Sequence, residues 1–492
     1  MKIYLLLNTI RHLKPVQVIC QVKYRLKQTA YVALEAPVFE TLKLKTAPTA
    51  KYKCVEGDIF TFLNWEHEFV GWDFTGNGML WAYNQNYFDW INQEGFTVEE
   101  GCKWIDQFIT EVKGGFPMDP YPIALRSINW VKFFCKYPEC ATKVRLDSLY
   151  SQIKLLEKKL EYHLLGNHLL EDAYALYING CFFKDECLYK KASKLLVEQL
   201  EEQVLADGAH YEQSPMYHCI LLDRLLDCIN IKSDDVLIDF AQRMLGHLEN
   251  IKWGDGDIPL LNDSAEGIAP TTSQIFYYAK RLGLKWQKIP LKECGYRKML
   301  SENMEAIVDV GNITATYQPG HTHADTFNYE LRIDGKPFIV DTGISTYNKT
   351  ERRQLERSTI AHNCVSPDKK NSSEVWGGFR VGRRAAVSNV KYQMSDGRGF
   401  VEVSHDGFGK ECRRRFEMGD GSFSVEDWFD GEAVSYIHLA ENVDEKRVKV
   451  EDAMSAETKP WEYSTVYNRF IEGKVIEIRF KGHCKYSIKS RI

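Results

Sequence analysis

The stretch Phe327-Asn328-Tyr329-Glu330-Leu331-Arg332-Ile333, closed by Asp334-Gly335, decides the fold of the second half of this chain. Aromatic and β-branched residues in such runs are typical of strands, and Asp-Gly at the end of a run is a strong signal for a two-residue hairpin turn. Similar runs, such as Val475-Ile476-Glu477-Ile478-Arg479-Phe480, continue to the C-terminus. We therefore expect an antiparallel β-sandwich over residues 296–492.

Towards the N-terminus the pattern becomes helical, from about residue 97 to about residue 285. Thr97-x-x-Glu100 is a capping-box signature, and Trp104 and Phe108 follow it at helical spacing. Apolar stripes recur near 168–183, 187–206, 216–230, 234–250 and 272–283. Helical hairpins of this kind stack as a bundle, a solenoid or a closed toroid, and periodicity does not choose among them. The expected class is α+β and multidomain, with an N-terminal helical or extended segment (1–50) and a helical domain (51–295).

Composition excludes several classes of protein. The 492-residue chain is 44% hydrophobic with a formal net charge of -5, which argues against a general nucleic-acid binder. Its 13 cysteines include no C-x-x-C pair, which argues against a disulfide framework. The apolar run Ile3 to Leu7 is shorter than a signal-peptide core, and no stretch approaches the roughly 20 apolar residues of a membrane span. We expect a cytoplasmic protein, or a periplasmic one if the start codon is misassigned.

The segment Gly320-His321-Thr322-His323-Ala324-Asp325 is the first candidate for chemistry. Two histidines separated by one residue point to the same side of a strand, so His321 and His323 face one cavity if this segment is a strand. Two histidines in an isolated H-x-H motif more often have no functional role. His323, Asp341 and His362 together supply two imidazoles and a carboxylate, a ligand set that suits zinc better than calcium. Such a site requires the chain to fold back near Ala324-Asp325.

In the helical half, Gly166-Asn167-His168 opens a helix. Free backbone N–H groups and the helix dipole favour a carboxylate at that end, and the Asn167 amide is a further donor. Taken alone, Asn167 is more simply explained as an N-cap. Glu171 lies three residues beyond His168, where it either orients the imidazole ring or is a solvated helix charge.

Other candidates lie in a loop and on a helix face. The loop from Asp207 to His218 is dense in titratable groups and includes Tyr211 and Tyr217. Tyr217 acts as a general base only if its neighbours stabilise the phenolate; otherwise it anchors the following helix. Arg126 and Trp130, four residues apart, share a helix face that suits an acidic sugar, although ordinary helix packing explains them nearly as well. Arg380 follows Trp376 and either meets an anionic group or is solvated.

Several motifs occur in one order along residues 60–390 and resemble the heparinase II/III family of polysaccharide lyases. They are Leu80-Trp81-Ala82-Tyr83-Asn84-Gln85-Asn86-Tyr87-Phe88-Asp89, Arg126-Ser127-Ile128-Asn129-Trp130, Gly166-Asn167-His168-Leu169-Leu170, Asp207-Gly208 through Tyr217-His218, His321-Thr322-His323-Ala324-Asp325 and Ala361-His362-Asn363. The resemblance implies an incomplete (α/α) toroid followed by the β-sandwich. It also implies β-elimination on a uronic-acid polysaccharide or oligosaccharide such as heparan sulfate, hyaluronan or chondroitin.

The chemistry of β-elimination gives each candidate a role. The uronate carboxylate must be neutralised before C5 loses its proton, and Asn167 with His168 fits that task. Tyr217 and His321 then share the base and acid steps, in an assignment that depends on the sugar epimer. The sugar-binding candidates are Arg126, Trp130, Glu171, Tyr211 and Arg380. The resemblance further suggests a mainly structural divalent metal at His323, Asp341 and His362, with zinc preferred over calcium or manganese. A homodimer is an allowed assembly.

Two other functions compete with the lyase. A glycoside hydrolase on the same toroid needs two carboxylates flanking the bond, and Glu171, Asp207, Glu212 and Asp263 form no recognisable pair. A non-catalytic glycan-binding protein of surface-polysaccharide assembly would use the aromatic and arginine residues to bind sugar and the histidines only to hold metal.

Overall fold

The computed structural model describes residues 2–26, 29–37, 39, 42–419 and 421–490. Two N-terminal helices, α1 (Lys2–Ile10) and α2 (Pro15–Leu26), come first. A small antiparallel sheet of three strands follows within the part expected to be helical: β1 (Val55–Glu56), β2 (Ile59–Phe62) and β3 (Trp65–Glu68). In the part of the chain that the structure describes, no helix has both the length and the apolar content to cross a bilayer.

The helices of the first half follow this sheet. They are α3 (Met79–Tyr87), α4 (Val98–Glu111), α5 (Pro120–Lys136), α6 (Lys143–Lys158), α7 (Gly166–Phe182), α8 (Glu186–Gln203), α9 (Pro215–Ile231), α10 (Asp235–Ile251) and α11 (Thr272–Arg281). The predicted capping box of α4 is confirmed, since the Thr97 side chain accepts from the Glu100 backbone and Glu100 returns a bond to Thr97. Helix α7 is central and packs against α5, α6, α8 and α9, so its N-terminus is held from several sides.

The second half is dominated by one antiparallel sheet of 12 strands. Its strands are β4 (Tyr296–Leu300), β5 (Met304–Asp309), β6 (Tyr329–Ile333), β7 (Lys336–Ile339), β8 (Val365–Ser366), β11 (Val387–Ser395), β12 (Arg398–His405), β13 (Cys412–Gly419), β14 (Ser422–Leu439), β15 (Val448–Glu451), β16 (Ser455–Tyr463) and β17 (Ile471–Lys489). The short helix α12 (Glu351–Glu356) lies between β7 and β8. Between β8 and β11 lies a separate two-stranded sheet, formed by β9 (Val375–Trp376) and β10 (Arg380–Val381).

The predicted hairpin at Asp334-Gly335 is confirmed. Ile333 pairs with Lys336 across a two-residue turn. Asp334 and Gly335 have φ values of 51° and 75°, the left-handed conformation that this turn requires. The strand order along the main path is β11-β12-β13-β14-β7-β6-β5-β4, and β14 also pairs with β8 and with the long strand β17.

Loops supply several of the contacts between the two halves, and strands β4 and β6 supply others, from Tyr296 to the Gln213 carbonyl oxygen and from the Leu260 backbone N–H to Glu330. Tyr211 donates to the Tyr317 hydroxyl at 3.0 Å across the two halves, and within the first half the Ser214 hydroxyl donates to the Asp263 carbonyl oxygen at 2.7 Å. The Gln213 side-chain amide also bonds across the two halves, donating to the Asn312 carbonyl oxygen at 3.0 Å. These buried contacts bring the loop before α9, the segment around Asp263 and the segment before β6 into one joint. The last helix of the first half ends at Arg281, and a domain boundary at residue 295 stays a prediction.

Candidate active site

The N-terminus of α7 holds Asn167 against a carboxylate. The Asn167 backbone N–H donates to Glu212 Oε1 at 2.9 Å, and its side-chain amide donates to Glu212 Oε2 at 2.9 Å. Gly166 has φ 61°, and a Cβ on it would lie 2.5 Å from Glu212 Oε1, so glycine is needed for this approach. The helix end does attract an anion, and in this structure the anion is the buried side chain of Glu212.

His321 faces Asn167 from the other half of the chain. Its Nε2 lies 3.3 Å from the Asn167 amide nitrogen, and its Nδ1 lies 2.9 Å from Asp263 Oδ2. Because a carboxylate accepts only, Nδ1 carries the proton and Nε2 is left as the acceptor for the Asn167 N–H. Asp263 therefore sets the tautomer that a general base requires.

Tyr217 completes this group. Its ring stacks on the His321 imidazole with centroids 3.9 Å apart. The Tyr347 hydroxyl donates to the Tyr217 hydroxyl at 3.4 Å and lies 3.4 Å from His321 Nδ1. Burial raises the pKa of Tyr217 above its ordinary value, so the phenol is protonated at neutral pH. The structure thus brings Asn167, Tyr217 and His321 together at one point.

Asp263 is the centre of a buried charge network. Arg353 binds it in a bidentate manner, at 2.5 and 2.7 Å, and His323 Nε2 lies 2.7 Å from Oδ1. Burial alone would raise the pKa of Asp263, but Arg353 and the two imidazoles outweigh it and hold that pKa well below its usual range. Asp263 is therefore ionised when it orients His321.

The segment from His321 to His323 is not a strand, so the condition under which the two side chains would face the same way is not met. This segment is a turn without strand hydrogen bonds, because it has to pass the joint between the two halves. The two imidazoles nevertheless converge, since each reaches one oxygen of Asp263. Sequence patterns placed Asp263 only among candidate hydrolase carboxylates and missed Arg353 and Tyr347 altogether.

His168 is held by Glu161 and not by Glu171. Its Nδ1 lies 2.9 Å from Glu161 Oε2, and its ring lies 4.6 Å from that of Tyr121. Burial would lower the pKa of His168, but the Glu161 carboxylate outweighs it and the net pKa is raised. Glu171 lies fully buried, 3.8 Å from Arg224, and burial raises its pKa to about 7. Glu171 therefore neither orients His168 nor is a solvated charge.

A cavity of about 340 Å³ adjoins this cluster, with Tyr217, Tyr347 and Tyr121 in its wall. The cations that line it are paired: Lys132 lies 2.9 Å from Asp227, and Lys51 lies 2.8 Å from Asp89. In the described part of the chain, none of the five predicted sugar-binding residues lines the cavity.

Arg126 and Trp130 are part of the helical core instead. Arg126 is fully buried and donates to Gln152, to the Asn86 carbonyl oxygen and to the Pro117 carbonyl oxygen. Burial lowers its pKa to about 9. The helix face that they share is turned inwards, so the expected sugar contact is not supported by this placement. The interpretation as ordinary helix packing fits better.

The other two sugar-binding candidates also lie apart from the cavity. Tyr211 is buried, and its hydroxyl donates to Tyr317 at 3.0 Å, across the joint between the two halves. Arg380 is exposed at the start of β10, where its guanidinium lies 4.7 Å from the Trp376 ring centroid.

The three predicted metal ligands lie near one another without forming a closed site. His362 Nδ1 lies 2.8 Å from Asp341 Oδ2, and the rings of His323 and His362 are 5.2 Å apart. His323 Nδ1 and His362 Nε2 are buried with no hydrogen-bond partner among the described residues. Each histidine thus bonds a carboxylate through one nitrogen and leaves the other free, as metal-binding histidines do. These residues fit a metal in their chemistry.

A different group has the tighter geometry. Among the residues that the structure describes, only Asp207, His247 and Cys294 form a group of three His, Cys, Asp or Glu side chains whose ligand atoms all lie within 4.8 Å of one another. Asp207 Oδ2 accepts the backbone N–H groups of Lys292 and Cys294, both at 2.9 Å. The carboxylate therefore already has a structural role, which is to hold the chain before β4 against the loop before α9.

Comparisons with known proteins agree with the sequence motifs. Residues 144–282 match the model of the heparinase II/III N-terminus, and residues 284–489 match that of the heparinase II/III-like C-terminal domain. The chain is 25% identical over 267 residues to a heparin-sulfate lyase of Pedobacter heparinus, covering 46% of this chain and 39% of that protein. It is 22% identical over 350 residues to a heparin-sulfate lyase of Bacteroides thetaiotaomicron, covering 57% of this chain and 47% of that protein.

Solved structures show a similar fold. A crystal structure of heparinase III superposes with a TM-score of 0.64 and 13% identity, covering 96% of this chain and 89% of that chain. The heparan sulfate lyase of Pedobacter heparinus gives a TM-score of 0.55 and 15% identity, covering 96% and 87%. The sequence matches cover less than half the length of the named relatives, but the two family models together cover most of this chain. The chain belongs to the heparinase II/III-like family.

Proposed function

We propose that the protein is a polysaccharide lyase that cleaves a uronic-acid-containing polysaccharide or oligosaccharide by β-elimination. The observation that carries the proposal is the convergence of Asn167, Tyr217 and His321, which come from two helix starts and a turn of the second half. The names of the relatives, heparin-sulfate lyases, support a glycosaminoglycan-like substrate.

Carboxylate neutralisation is the first step. Both N–H groups of the Asn167 amide are occupied, one by Glu212 and one by His321 Nε2. A uronate carboxylate therefore has to replace His321 Nε2, which lies 3.3 Å from the Asn167 amide nitrogen, as the acceptor of that N–H. His168 assists as a cation because its pKa is raised. Together these donors stabilise the negative charge that develops beside C5.

Proton transfer follows from the two protonation states. Once the uronate carboxylate has taken the Asn167 N–H, the lone pair of His321 Nε2 is free to take the C5 proton, and the resulting imidazolium is stabilised by Asp263. The C5–H electrons form the C4–C5 double bond as the C4–O4 bond breaks. Tyr217 is protonated and gives its proton to the departing O4. His321 thus accepts one proton and Tyr217 gives one, while the electron pair of the C5–H bond forms the double bond and that of the C4–O4 bond leaves with O4.

The cavity suggests a substrate whose charge is mainly carboxylate. Arg224 lies within 4 Å of three carboxylates, at 3.8 Å from Glu171, 3.4 Å from Asp223 and 3.7 Å from Asp227. Cations that already have acidic partners attract sulfate groups weakly, because a sulfate has to compete with the resident carboxylates. A sparsely sulfated uronate polymer therefore fits this cavity better than a densely sulfated one.

We also infer the finer architecture and a structural metal. The contacts between consecutive helices, α5 with α6, α7 with α8 and α9 with α10, support an incomplete (α/α) toroid, and the branching of the sheet at β14 supports a β-sandwich. The free nitrogens of His323 and His362, with Asp341 orienting His362, support a divalent ion, by preference zinc. Such an ion would brace the wall that carries His321.

The compartment is likewise a proposal. All 13 cysteines are free thiols, which supports a reducing, cytoplasmic environment. The partner we propose is an acidic glycan, and the state of assembly, monomer or homodimer, is a matter for light scattering.

The test is the ultraviolet absorbance of the unsaturated uronate. The protein is incubated with heparan sulfate, hyaluronan, chondroitin, alginate and bacterial capsular glycans, alongside Tyr217→Phe and His321→Ala. A rise in absorbance that both substitutions abolish supports the lyase and identifies its substrate class. New reducing ends without the chromophore would favour a hydrolase, and binding without turnover would favour a glycan-binding protein.

A further inference from the structure

The first 34 residues differ in charge from the rest of the chain. They contain six basic residues and no acidic residue, whereas the whole chain has a formal net charge of -5. Among residues that the structure describes, basic side chains close the last turn of α2, at Lys23 and Arg25. Lys14 forms an ion pair with Glu202, whereas the side chains of Arg11, Lys23 and Arg25 are exposed and give this region a positive surface.

The same region has an unusual apolar surface. Among the described residues, 26 large apolar side chains are exposed, and 13 of them lie between Ile3 and Leu34. On α1, Ile3, Leu7 and Ile10 follow helical spacing and are 75%, 62% and 44% exposed. On α2, Ile19 and Val22 are 53% and 54% exposed. Each helix thus presents an apolar stripe to solvent.

The opposite side of each helix is attached to the protein. The Trp376 indole donates to the Thr9 hydroxyl at 3.1 Å, and the Asn8 amide donates to Glu374 at 3.1 Å. Gln17 is buried and donates to the carbonyl oxygens of Leu164 and Tyr317. The apolar stripes therefore do not pack against the rest of this chain, because each helix contacts the rest of the chain through its opposite side.

We propose that α1 and α2 form a docking surface for an anionic lipid bilayer, on which the two helices lie in the plane of the headgroups. Helices with an apolar face and basic, acid-free flanks bind in this way, since aliphatic side chains enter the acyl boundary while cations meet the headgroups. The surface is independent of the proposed catalytic function.

Charge favours lipid over a second copy of this chain as the occupant. Pairing the α1–α2 surfaces of two copies would bring the exposed Arg11, Lys23 and Arg25 of one copy towards those of the other, which is unfavourable. The remaining 13 exposed apolar side chains of the described residues are spread along the chain from Tyr52 to Phe470 and are not concentrated in one segment as those of α1 and α2 are. A bilayer with anionic lipids satisfies both the apolar and the cationic side chains at once.

The experiment is flotation of the full chain with vesicles of phosphatidylcholine alone or of phosphatidylcholine with phosphatidylglycerol. We expect binding to the anionic vesicles only, and weaker binding at high salt. Leu7→Asp with Ile19→Asp lowers the bound-to-free ratio by at least about tenfold, because two apolar contacts are lost and two negative charges gained. The matched control, Val236→Asp with Met454→Asp, changes side chains that are 47% and 63% exposed elsewhere and leaves binding unchanged.

Circular dichroism and thermal melting establish that both double variants are folded. Absence of flotation with anionic vesicles, or equal flotation of the Leu7→Asp, Ile19→Asp variant, overturns the proposal. If light scattering instead finds a dimer that this variant dissociates, and no vesicle binding, the surface belongs to a second copy. Turnover of soluble substrate is measured in parallel; because neither helix contributes a catalytic group, a failure of the lyase proposal leaves the vesicle result unaffected.

Discussion

Replacing Glu212 with glutamine tests whether the Asn167 amide is positioned for carboxylate neutralisation. The buried Glu212 carboxylate accepts two bonds from Asn167, both at 2.9 Å. Glutamine has the same shape but only one acceptor oxygen, so one of the two bonds is lost and the other loses its charged acceptor. The side-chain amide of Asn167 is then free to turn away from the substrate.

The magnitude follows from the lost bond. A hydrogen bond to a charged group contributes about 1.5–3 kcal/mol. Since about 1.4 kcal/mol corresponds to a factor of ten in rate, kcat/KM is expected to fall by about 10- to 150-fold. The loss should appear mainly in kcat, because the Asn167 contact strengthens as negative charge develops on the substrate.

The assay is the initial rate of unsaturated-uronate formation over a range of substrate concentrations, with thermal melting of each variant. Glu374→Gln is the matched control, since Glu374 also accepts one asparagine amide, from Asn8, and one backbone N–H, from Arg383. It lies under α1, away from the cavity, and is expected to keep the parent rate. A folded Glu212→Gln variant with kcat/KM within about twofold of the parent would refute the reasoning.

Four further outcomes are expected. Tyr217→Phe lowers kcat by about 10²- to 10⁴-fold while calorimetric binding of substrate is retained, and a variant with normal kcat would exclude Tyr217 as the acid. KM rises as pH increases through the folded-state pKa of His168, which lies above 6.5, and Glu161→Gln moves this rise to lower pH; an unchanged profile contradicts the assignment. The His168–Glu161 pair likewise stabilises the fold fully below pH 6.5 and loses that contribution as pH rises through the raised pKa. A chelator lowers the melting temperature of the parent but not of His362→Ala, and a purified protein without stoichiometric metal would argue against the site.

Local signals predicted the elements that local physics controls. The capping box at Thr97 and the Asp334-Gly335 turn were both confirmed, because each depends on residues within a few positions of one another. The predicted stripe near 187–206 was extended too far, since α8 ends at Gln203 and Val204 and Leu205 lie beyond it. Apolar spacing continues there because these two residues also pack against the core.

The partners of the catalytic candidates were not predictable in the same way. Glu161 lies in an irregular turn, and Arg353 lies on a short helix 90 residues from Asp263 in sequence. Neither Glu161 nor Arg353 stands at a sequence spacing or in a periodic pattern that would predict its contact with His168 or Asp263. The same limit explains Arg126, whose helix face was visible but whose direction, inwards to Gln152 and Pro117, was not.

By itself, the sequence determined the order of helices and strands, the family, and the set of residue types available for an elimination reaction. Only the tertiary structure decided that Glu212 holds Asn167, that Asp263 holds His321, and that Glu161 rather than Glu171 holds His168. The physical reason is the sequence distance over which each kind of interaction acts. Caps, turns and amphipathic spacing act over a few residues, whereas the protonation state of a catalytic side chain depends on charges that the fold brings within about 3 Å from distant parts of the chain.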